Sequence, residues 1–398
     1  MLVRGEGDPA TGDTAVSEAY DGLGDTWQLW RGAYGRNSLD DRGLPLLATV
    51  HYGRRYDNAF WDGTRMVFGD GDGVVFLGFT RSLDVIGHEL AHGVTQYTSG
   101  LNYQGQSGAL NESVSDVFGV LVTQYARGQS ADEADWLVGA DLLAPDVRGV
   151  ALRSMAAPGT AYDDPRLGTD PQPAHLDDYV DTAADNGGVH INSGIPNKAF
   201  HVVATTLGGH AWERAGQVWF DTITGDIRAD CDFATFARLT LRAAAARYGA
   251  DSPEAAAVRT GWDAVGLVAD PTTSPPPSTP SPVPMTPPDL PGDPAPGPVD
   301  PGAEVSVRRT GGVTGVTRER TVSLERLPDD DARAWRRLLA DDRLHALARA
   351  AEERDRQRPD AFCYTVTCAD PVVDVDLPEP AVPDEVRELL ERTLAPGG

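Results

Sequence analysis

Val85-Ile86-Gly87-His88-Glu89-Leu90-Ala91-His92, followed by Ala109-Leu110-Asn111-Glu112-Ser113-Val114-Ser115-Asp116, decides how this chain is read. The first run is a His-Glu-x-x-His on an expected helix. At about 100° per residue, His88 and His92 fall about 40° apart around the axis and about one turn apart along it, so both imidazoles can reach one metal ion. Glu89 projects beside that ion rather than onto it. The five-residue pattern alone is unspecific, since it also describes two ordinary helical histidines near a glutamate. Glu112 changes the weight. It follows His92 by twenty residues, opens a second helix-like segment and completes a two-nitrogen, one-oxygen set that leaves zinc a position for water. Asp116, one turn further on the same face, can accept the other ring N–H of a ligand histidine and fix its tautomer. Asp116 is therefore a candidate support of the ligands, and Asn111 is taken as a second one.

The chain has 398 residues, too many for one compact core, so two or three domains are expected. A net charge of −26, with Lys198 the only lysine, argues against a nucleic-acid partner. Three cysteines, Cys231, Cys363 and Cys368, are too few for a disulfide framework. Cys363 and Cys368 stand five apart in a strand-like run and so point to opposite faces. No apolar run is long enough to span a membrane. The N-terminus, Met1-Leu2-Val3-Arg4-Gly5-Glu6-Gly7-Asp8, lacks the basic and apolar regions of a secretory signal.

Residues 14 to 33 read as a helix, and Leu47 to Tyr52 and Met66 to Phe79 as alternating, β-like segments. A central helix is expected from about Ser82 to Thr98, a second from Leu110 to Tyr125, and a short one from Asp132 to Leu143. Beyond Pro196, amphipathic segments at Lys198 to Thr206, Ala211 to Ile223, Asp232 to Arg247 and Pro253 to Val265 make a helical lobe. A cleft between a β lobe and an α lobe is where a substrate binds.

The run from His88 to Asp116 resembles the thermolysin family of zinc metalloendopeptidases, closest to its protealysin branch, and the resemblance covers about residues 14 to 268. It implies an α+β, two-lobed fold: a flexible N-terminus at 1–13, a β-rich lobe with the zinc-binding helices at 14–126, and a helical lobe at 127–269. It implies one catalytic zinc on His88, His92 and Glu112, with Glu89 as general base and peptides or proteins as substrates. Such enzymes are secreted and usually carry an N-terminal pro-segment. This chain begins almost where the mature enzyme would and has no visible signal, so a cytoplasmic location is the alternative.

By the same resemblance, Asn58 and Ala59 lie on an edge strand that holds an extended substrate, a sequence-tolerant mode of recognition. Asp185-Asn186-Gly187-Gly188-Val189-His190 resembles the segment whose histidine stabilises the transition state. His190 would donate to the oxyanion, Asp185 would hold its tautomer and charge, and Tyr103 would donate to the same oxygen. Arg153 matches the arginine that binds a substrate carbonyl, and it could bridge local carboxylates as well. Phe79, Val85, Val138, Leu142 and Leu152 fall where the family lines its first primed subsite. All are apolar, which implies cleavage before large hydrophobic residues. Calcium departs from the pattern: Asp84 and Asp135 are present, but Thr123, Leu137 and Ala140 replace acidic positions of thermolysin, leaving at most one weak site.

Fourteen prolines between Pro271 and Gly302 mark a semi-rigid linker, bounded at 270–303. Residues 304–398 read as a small α+β domain in β-β-α-β-β-α order, with one helix from about Asp330 to Ala351. Val307-Arg308-Arg309-Thr310-Gly311-Gly312 and Tyr364-Thr365-Val366-Thr367 are similar to emfourin, a protein inhibitor of protealysin-like enzymes. That resemblance implies that the chain's own C-terminal domain inhibits the protease intramolecularly, with the Gly311 to Val316 loop as the candidate plug. A tether raises the effective concentration to the millimolar range when it spans the sites. A monomer is expected. Two other readings remain: a catalytically silent, protease-derived binding protein, and a purely structural zinc, which would favour four protein ligands including cysteine.

Overall fold

The computed structural model describes residues 1–268, 299–340, 343–354 and 358–395. These divide into two compact units. The first holds residues 1–268 together with two short later segments, Gly312–Gly315 and Arg358–Asp360; the second holds the described parts of 299–311, 316–357 and 361–398. Of the linker expected at 270–303, residues 299–303 alone are described.

The first unit opens with α1 (Thr14–Tyr34), capped by Asp13, whose carboxylate accepts from the Val16 N–H, and ended by Gly35 in the left-handed conformation. The preceding residues are tied to it: Arg4 lies 3.6 Å over the Tyr20 ring, and the Gly7 N–H donates to the Tyr20 hydroxyl. Three short strands follow, β1 (Ala48–Thr49), β2 (Ala59–Trp61) and β3 (Met66–Phe68), in the order β1-β3-β2. The strand carrying Ala59 is thus at the sheet edge, with its side chains buried.

Two helices form the centre, α2 (Leu83–Gln96) and α3 (Gly105–Arg127). Both are buried on nearly every side over most of their length, which surface periodicity does not anticipate. The short helix expected at Asp132 to Leu143 is corrected. Leu137–Val138 is instead a strand, β4, paired with β5 (Arg153–Ser154), and a 3₁₀ turn follows at Ala140–Leu142. Trp136 and Gly139 take positive φ, 59° and 71°, which interrupts any helix there. A small hairpin comes next, β6 (Asp163–Asp164) with β7 (Gly168–Thr169).

The helical lobe comprises α4 (Asp185–Asn192), α5 (Gly194–Leu207), α6 (Ala215–Ile223), α7 (Phe233–Tyr248) and α8 (Pro253–Asp263). Gly261 lets α8 lie against α5, since a Cβ there would meet Val203 Cγ2 at 2.5 Å and the Ala199 carbonyl oxygen at 2.7 Å. Trp219 and Trp262 stack at 6.2 Å, and the Trp262 indole N–H donates to Thr240 Oγ1 at 2.8 Å. Among the described residues, no helix is long and apolar enough to cross a membrane.

The second unit is a four-stranded antiparallel sheet, β8 (Glu304–Gly311), β9 (Arg318–Ser323), β10 (Phe362–Ala369) and β11 (Val372–Pro378), in the order β11-β10-β8-β9. Its helices are α9 (Asp329–Ala340), α10 (Arg343–Arg354) and α11 (Asp384–Leu394). Within the helix expected at 330–351, helix is described at Asp329–Ala340 and Arg343–Arg354, and residues 341–342 lie outside the described residues. Strand β10 alternates buried and partly exposed residues, so Phe362, Tyr364, Val366 and Cys368 face the core and Cys363 the other side. All three cysteines are free. Trp335 is fully buried and donates to Thr393 Oγ1 at 2.9 Å, and Arg309 pairs with Glu391 at 2.8 Å while lying over Phe362.

Candidate metal centre

The site begins with two glycines. A Cβ on Gly119 would lie 2.4 Å from the Asp84 carbonyl oxygen and 3.1 Å from the His88 nitrogen; one on Gly87 would lie 2.9 Å from Val122 Cγ2. Their absence of side chains lets α2 and α3 cross closely enough to set His88 and His92 against Glu112. Each imidazole is fixed from behind. His88 Nδ1 is 2.8 Å from Asp116 Oδ1, and His92 Nδ1 is 2.9 Å from Asn111 Oδ1 and 3.1 Å from Ser115 Oγ. The Asn111 amide is in turn anchored by donating to the Leu101 carbonyl at 3.0 Å. With each Nδ1–H given to these acceptors, the two Nε2 lone pairs face each other 3.1 Å apart.

Glu112 completes the set. One carboxylate oxygen accepts from the Tyr103 hydroxyl, and the other is buried with no hydrogen-bond partner. Metal-binding atoms of His88, His92, Glu112 and Asp360 all lie within 4.8 Å of one another, and all four residues are buried. Two imidazole lone pairs beside an uncommitted carboxylate oxygen fit a borderline cation such as zinc. Beside them Glu89 holds one oxygen on the Trp61 N–H at 3.0 Å, while its other oxygen is buried and unpartnered. Burial, reinforced by the Asp360 charge, pushes the Glu89 carboxyl well above its ordinary range.

His190 approaches from α4. Asp185, Asn186, Gly187 and Gly188 all take positive φ, between 49° and 82°, a run that Asn and Gly tolerate and β-branched residues do not. The turn places Asp185 Oδ1 at 2.5 Å from His190 Nδ1 and Oδ2 at 2.8 Å from its backbone nitrogen. Burial opposes the imidazolium, but Asp185 and then Glu112 outweigh it and hold His190 well above the usual histidine range. Its Nε2 lies 3.2 Å from the Tyr103 hydroxyl.

Arg153 makes a two-pronged contact with Asp116, at 2.8 and 2.7 Å, and donates a third bond to the Val313 carbonyl at 2.5 Å. Burial alone would raise the Asp116 carboxyl; Arg153 and then His88 more than offset it and hold it well below the carboxylate range. Asn58, fully buried, donates to the Asp360 carbonyl at 2.7 Å and accepts from the Val313 N–H at 3.0 Å. Phe79, Val85, Val138, Leu142 and Leu152 are all buried. Leu152 alone of the five borders the small cavity, about 20 Å³, beside Arg153, His190 and Gly315. Asp84 accepts from Ser82 Oγ and from the backbone N–H groups of Val85 and Gly139, so its oxygens serve the start of α2 and the β4 turn. Asp135 accepts from the Leu137 N–H.

Sequence alone assigns no site role to Gly87, Gly119, Ser115 or Asp360. A glycine inside a helix was a usable signal for the crossing. Asp360, in Arg358-Pro359-Asp360-Ala361, carries no local motif.

Three family models match the chain: the catalytic domain of thermolysin metallopeptidases over residues 6–96, their alpha-helical domain over 99–267, and emfourin over 307–394. An extracellular metalloprotease of Pectobacterium carotovorum subsp. carotovorum is 55% identical over 267 residues, 67% of this chain and 76% of that protein. The bacillolysin of Bacillus cereus is 41% identical over 262 residues, 64% of this chain and 44% of that protein. Among solved structures, the precursor of protealysin, a metalloproteinase from Serratia proteamaculans, is similar at a TM-score of 0.66 and 57% identity, covering 67% of this chain and 82% of that one.

Proposed function

This chain belongs to the thermolysin family of metallopeptidases, and from that membership we propose a zinc-dependent endopeptidase whose activity is restrained by its own emfourin-like region. The observation that carries the catalytic part is the convergence of His88 Nε2, His92 Nε2 and the uncommitted Glu112 oxygen beside the equally uncommitted oxygen of Glu89. His88, His92 and Glu112 would hold the ion. When bound, it supplies Lewis-acid chemistry, polarising the scissile carbonyl and making a water acidic near neutral pH.

The chain's own groups do the rest. Glu89, steadied by the Trp61 N–H, accepts the proton of the attacking water and passes it to the leaving amine. His190, held charged by Asp185, and Tyr103 donate to the oxygen on which negative charge develops. Asn58 and the edge strand at Ala59 hold the substrate backbone, and Arg153, braced on Asp116, donates to a substrate carbonyl. Phe79, Val85, Val138, Leu142 and Leu152 make the primed side apolar, which favours cleavage before large hydrophobic residues. The names of relatives such as the extracellular metalloprotease support work outside the cell.

Restraint is supported by the emfourin match and by the use that Gly312–Gly315 and Arg358–Asp360 make of Asn58 and Arg153. A chain ending at residue 270, checked for folding and zinc content, tests both parts. It should hydrolyse peptides faster than the full chain, and added residues 304–398 should suppress it. A truncated, zinc-loaded chain no more active than the whole refutes the restraint; no hydrolysis by either refutes the enzyme.

A further inference from the structure

Asp360 is fully buried, at 1% exposure, and its carboxylate faces the metal-binding histidines. Oδ2 lies 3.1 Å from His88 Nε2 and 3.1 Å from His92 Nε2. Oδ1 lies 2.6 Å from His190 Nε2 and 3.1 Å from the Tyr103 hydroxyl. We propose that Asp360 is the fourth protein ligand of the metal, occupying through Oδ2 the position that water needs while Oδ1 fills the oxyanion position. This inference rests on the metallopeptidase reading and names the residue and the manner of its restraint.

The donor chemistry fits a cation there. Asp116 and Asn111 take the Nδ1–H of the two histidines, so both Nε2 atoms present lone pairs. The two Nε2 atoms, Asp360 Oδ2 and Glu112, with its unpartnered oxygen, therefore converge within 4.8 Å of one another. A positive ion among them would satisfy all four at once, and two neutral imidazoles with two carboxylates neutralise a divalent one. A set of four protein ligands is a closed site, whereas three with water is an open one. Asp360 is thus the difference between a silent and a competent centre.

The backbone around it behaves as a substrate's would. Asn58 donates to the Asp360 carbonyl at 2.7 Å and accepts from Val313, and Arg153 donates to the Val313 carbonyl. Gly315 closes on the other side, where a Cβ would lie 3.2 Å from that of His190. Asp360 itself has φ +56°, a left-handed conformation that breaks the extended shape an edge-strand substrate needs. The segment is clamped like a substrate but does not present its own peptide bonds as one.

The test uses the full chain with Co²⁺ in place of zinc, as wild type, Asp360→Ala and Asp360→Asn, with acetohydroxamate as the probe ligand. Asp360→Asn keeps the side-chain volume, so agreement between the two variants excludes a folding artefact. The wild-type visible spectrum should not respond to acetohydroxamate at concentrations that saturate both variants, and both should hydrolyse peptides faster by about tenfold or more. A wild-type spectrum that shifts with acetohydroxamate as readily as the variants' overturns the ligation. If the chain ending at residue 270 is active while the variants match wild type in spectrum and rate, the peptidase reading stands and Asp360 is not the ligand. If that truncated chain is inactive with zinc bound, the peptidase reading itself fails.

Discussion

His88 Nδ1 lies 2.8 Å from Asp116 Oδ1, and this contact determines which nitrogen of His88 is left for a metal. Asp116 also carries the Arg153 guanidinium and accepts from Asn197 Nδ2 at 2.8 Å, so a single buried carboxylate joins the candidate metal site to Arg153, the arginine proposed to bind substrate. Asp116→Asn preserves shape but removes the charge that fixes the imidazole. Zinc affinity, measured by competition with a chelator, should fall by about 10–100-fold. Unchanged affinity would mean that the tautomer is fixed elsewhere.

Glu89 offers a way to separate the proposed catalysis from metal binding, because it sits beside the candidate ligands with one oxygen uncommitted. Glu89→Gln in the chain ending at residue 270 should retain one zinc and lose at least about 10²–10⁴-fold in kcat. Metal analysis and steady-state hydrolysis of one peptide check the two halves together. A variant that loses its zinc would reassign Glu89 as a ligand.

The helix crossing should be intolerant of a single methyl group. At Gly119 a Cβ meets backbone, not a yielding side chain tip, at 2.4 Å. Gly119→Ala should therefore cost about 1–3 kcal/mol in urea unfolding, and zinc affinity should fall with it because His88 is displaced. A variant as stable as wild type would contradict the close crossing.

His201 supplies the pH dependence. It lies edge-on to Trp136 at 5.2 Å, and burial, with some repulsion from Lys198, lowers its pKa to about 4. The folded state therefore favours the neutral ring. The unfolded state, with pKa about 6.5, takes up a proton first as pH falls, so this contribution is present above about 6.5 and is lost between about 6.5 and 4, amounting to about 1–3 kcal/mol. His201→Phe keeps the ring contact and should flatten that part of the stability–pH curve. Parallel curves for the two proteins would show that His201 carries none of it.

Cleavage preference follows from the apolar residues named above. A mixed peptide pool cut by the chain ending at residue 270 should yield products whose new N-termini are mostly large and hydrophobic, by about 10–200-fold over smaller analogues. Charged residues at that position would contradict the assignment. Leu152→Arg offers a sharper version, since Leu152 borders the cavity beside His190.

Much of the centre was legible because helical spacing is a strict geometric rule. His88, His92 and Glu112 needed only a periodicity and a donor inventory, whereas Asn58, Tyr103, Arg153 and His190 were named from the family resemblance and not from spacing. The 132–143 stretch was misread because Trp136 adopts a positive φ that no propensity favours, and because its strand partner, Arg153-Ser154, is distant in sequence. Asp360 was invisible for a related reason. The partners of its carboxylate lie 170 to 272 positions earlier, and a lone aspartate after proline has no spacing to read.

The most direct measurement compares hydrolysis of an internally quenched hydrophobic peptide by three zinc-loaded full-length proteins: wild type, Asp360→Ala, and Asp360→Ala combined with Glu89→Gln. The account predicts a slow wild type, a fast Asp360→Ala and an inactive double variant. Equal rates for wild type and Asp360→Ala, or a double variant as fast as Asp360→Ala, would contradict it.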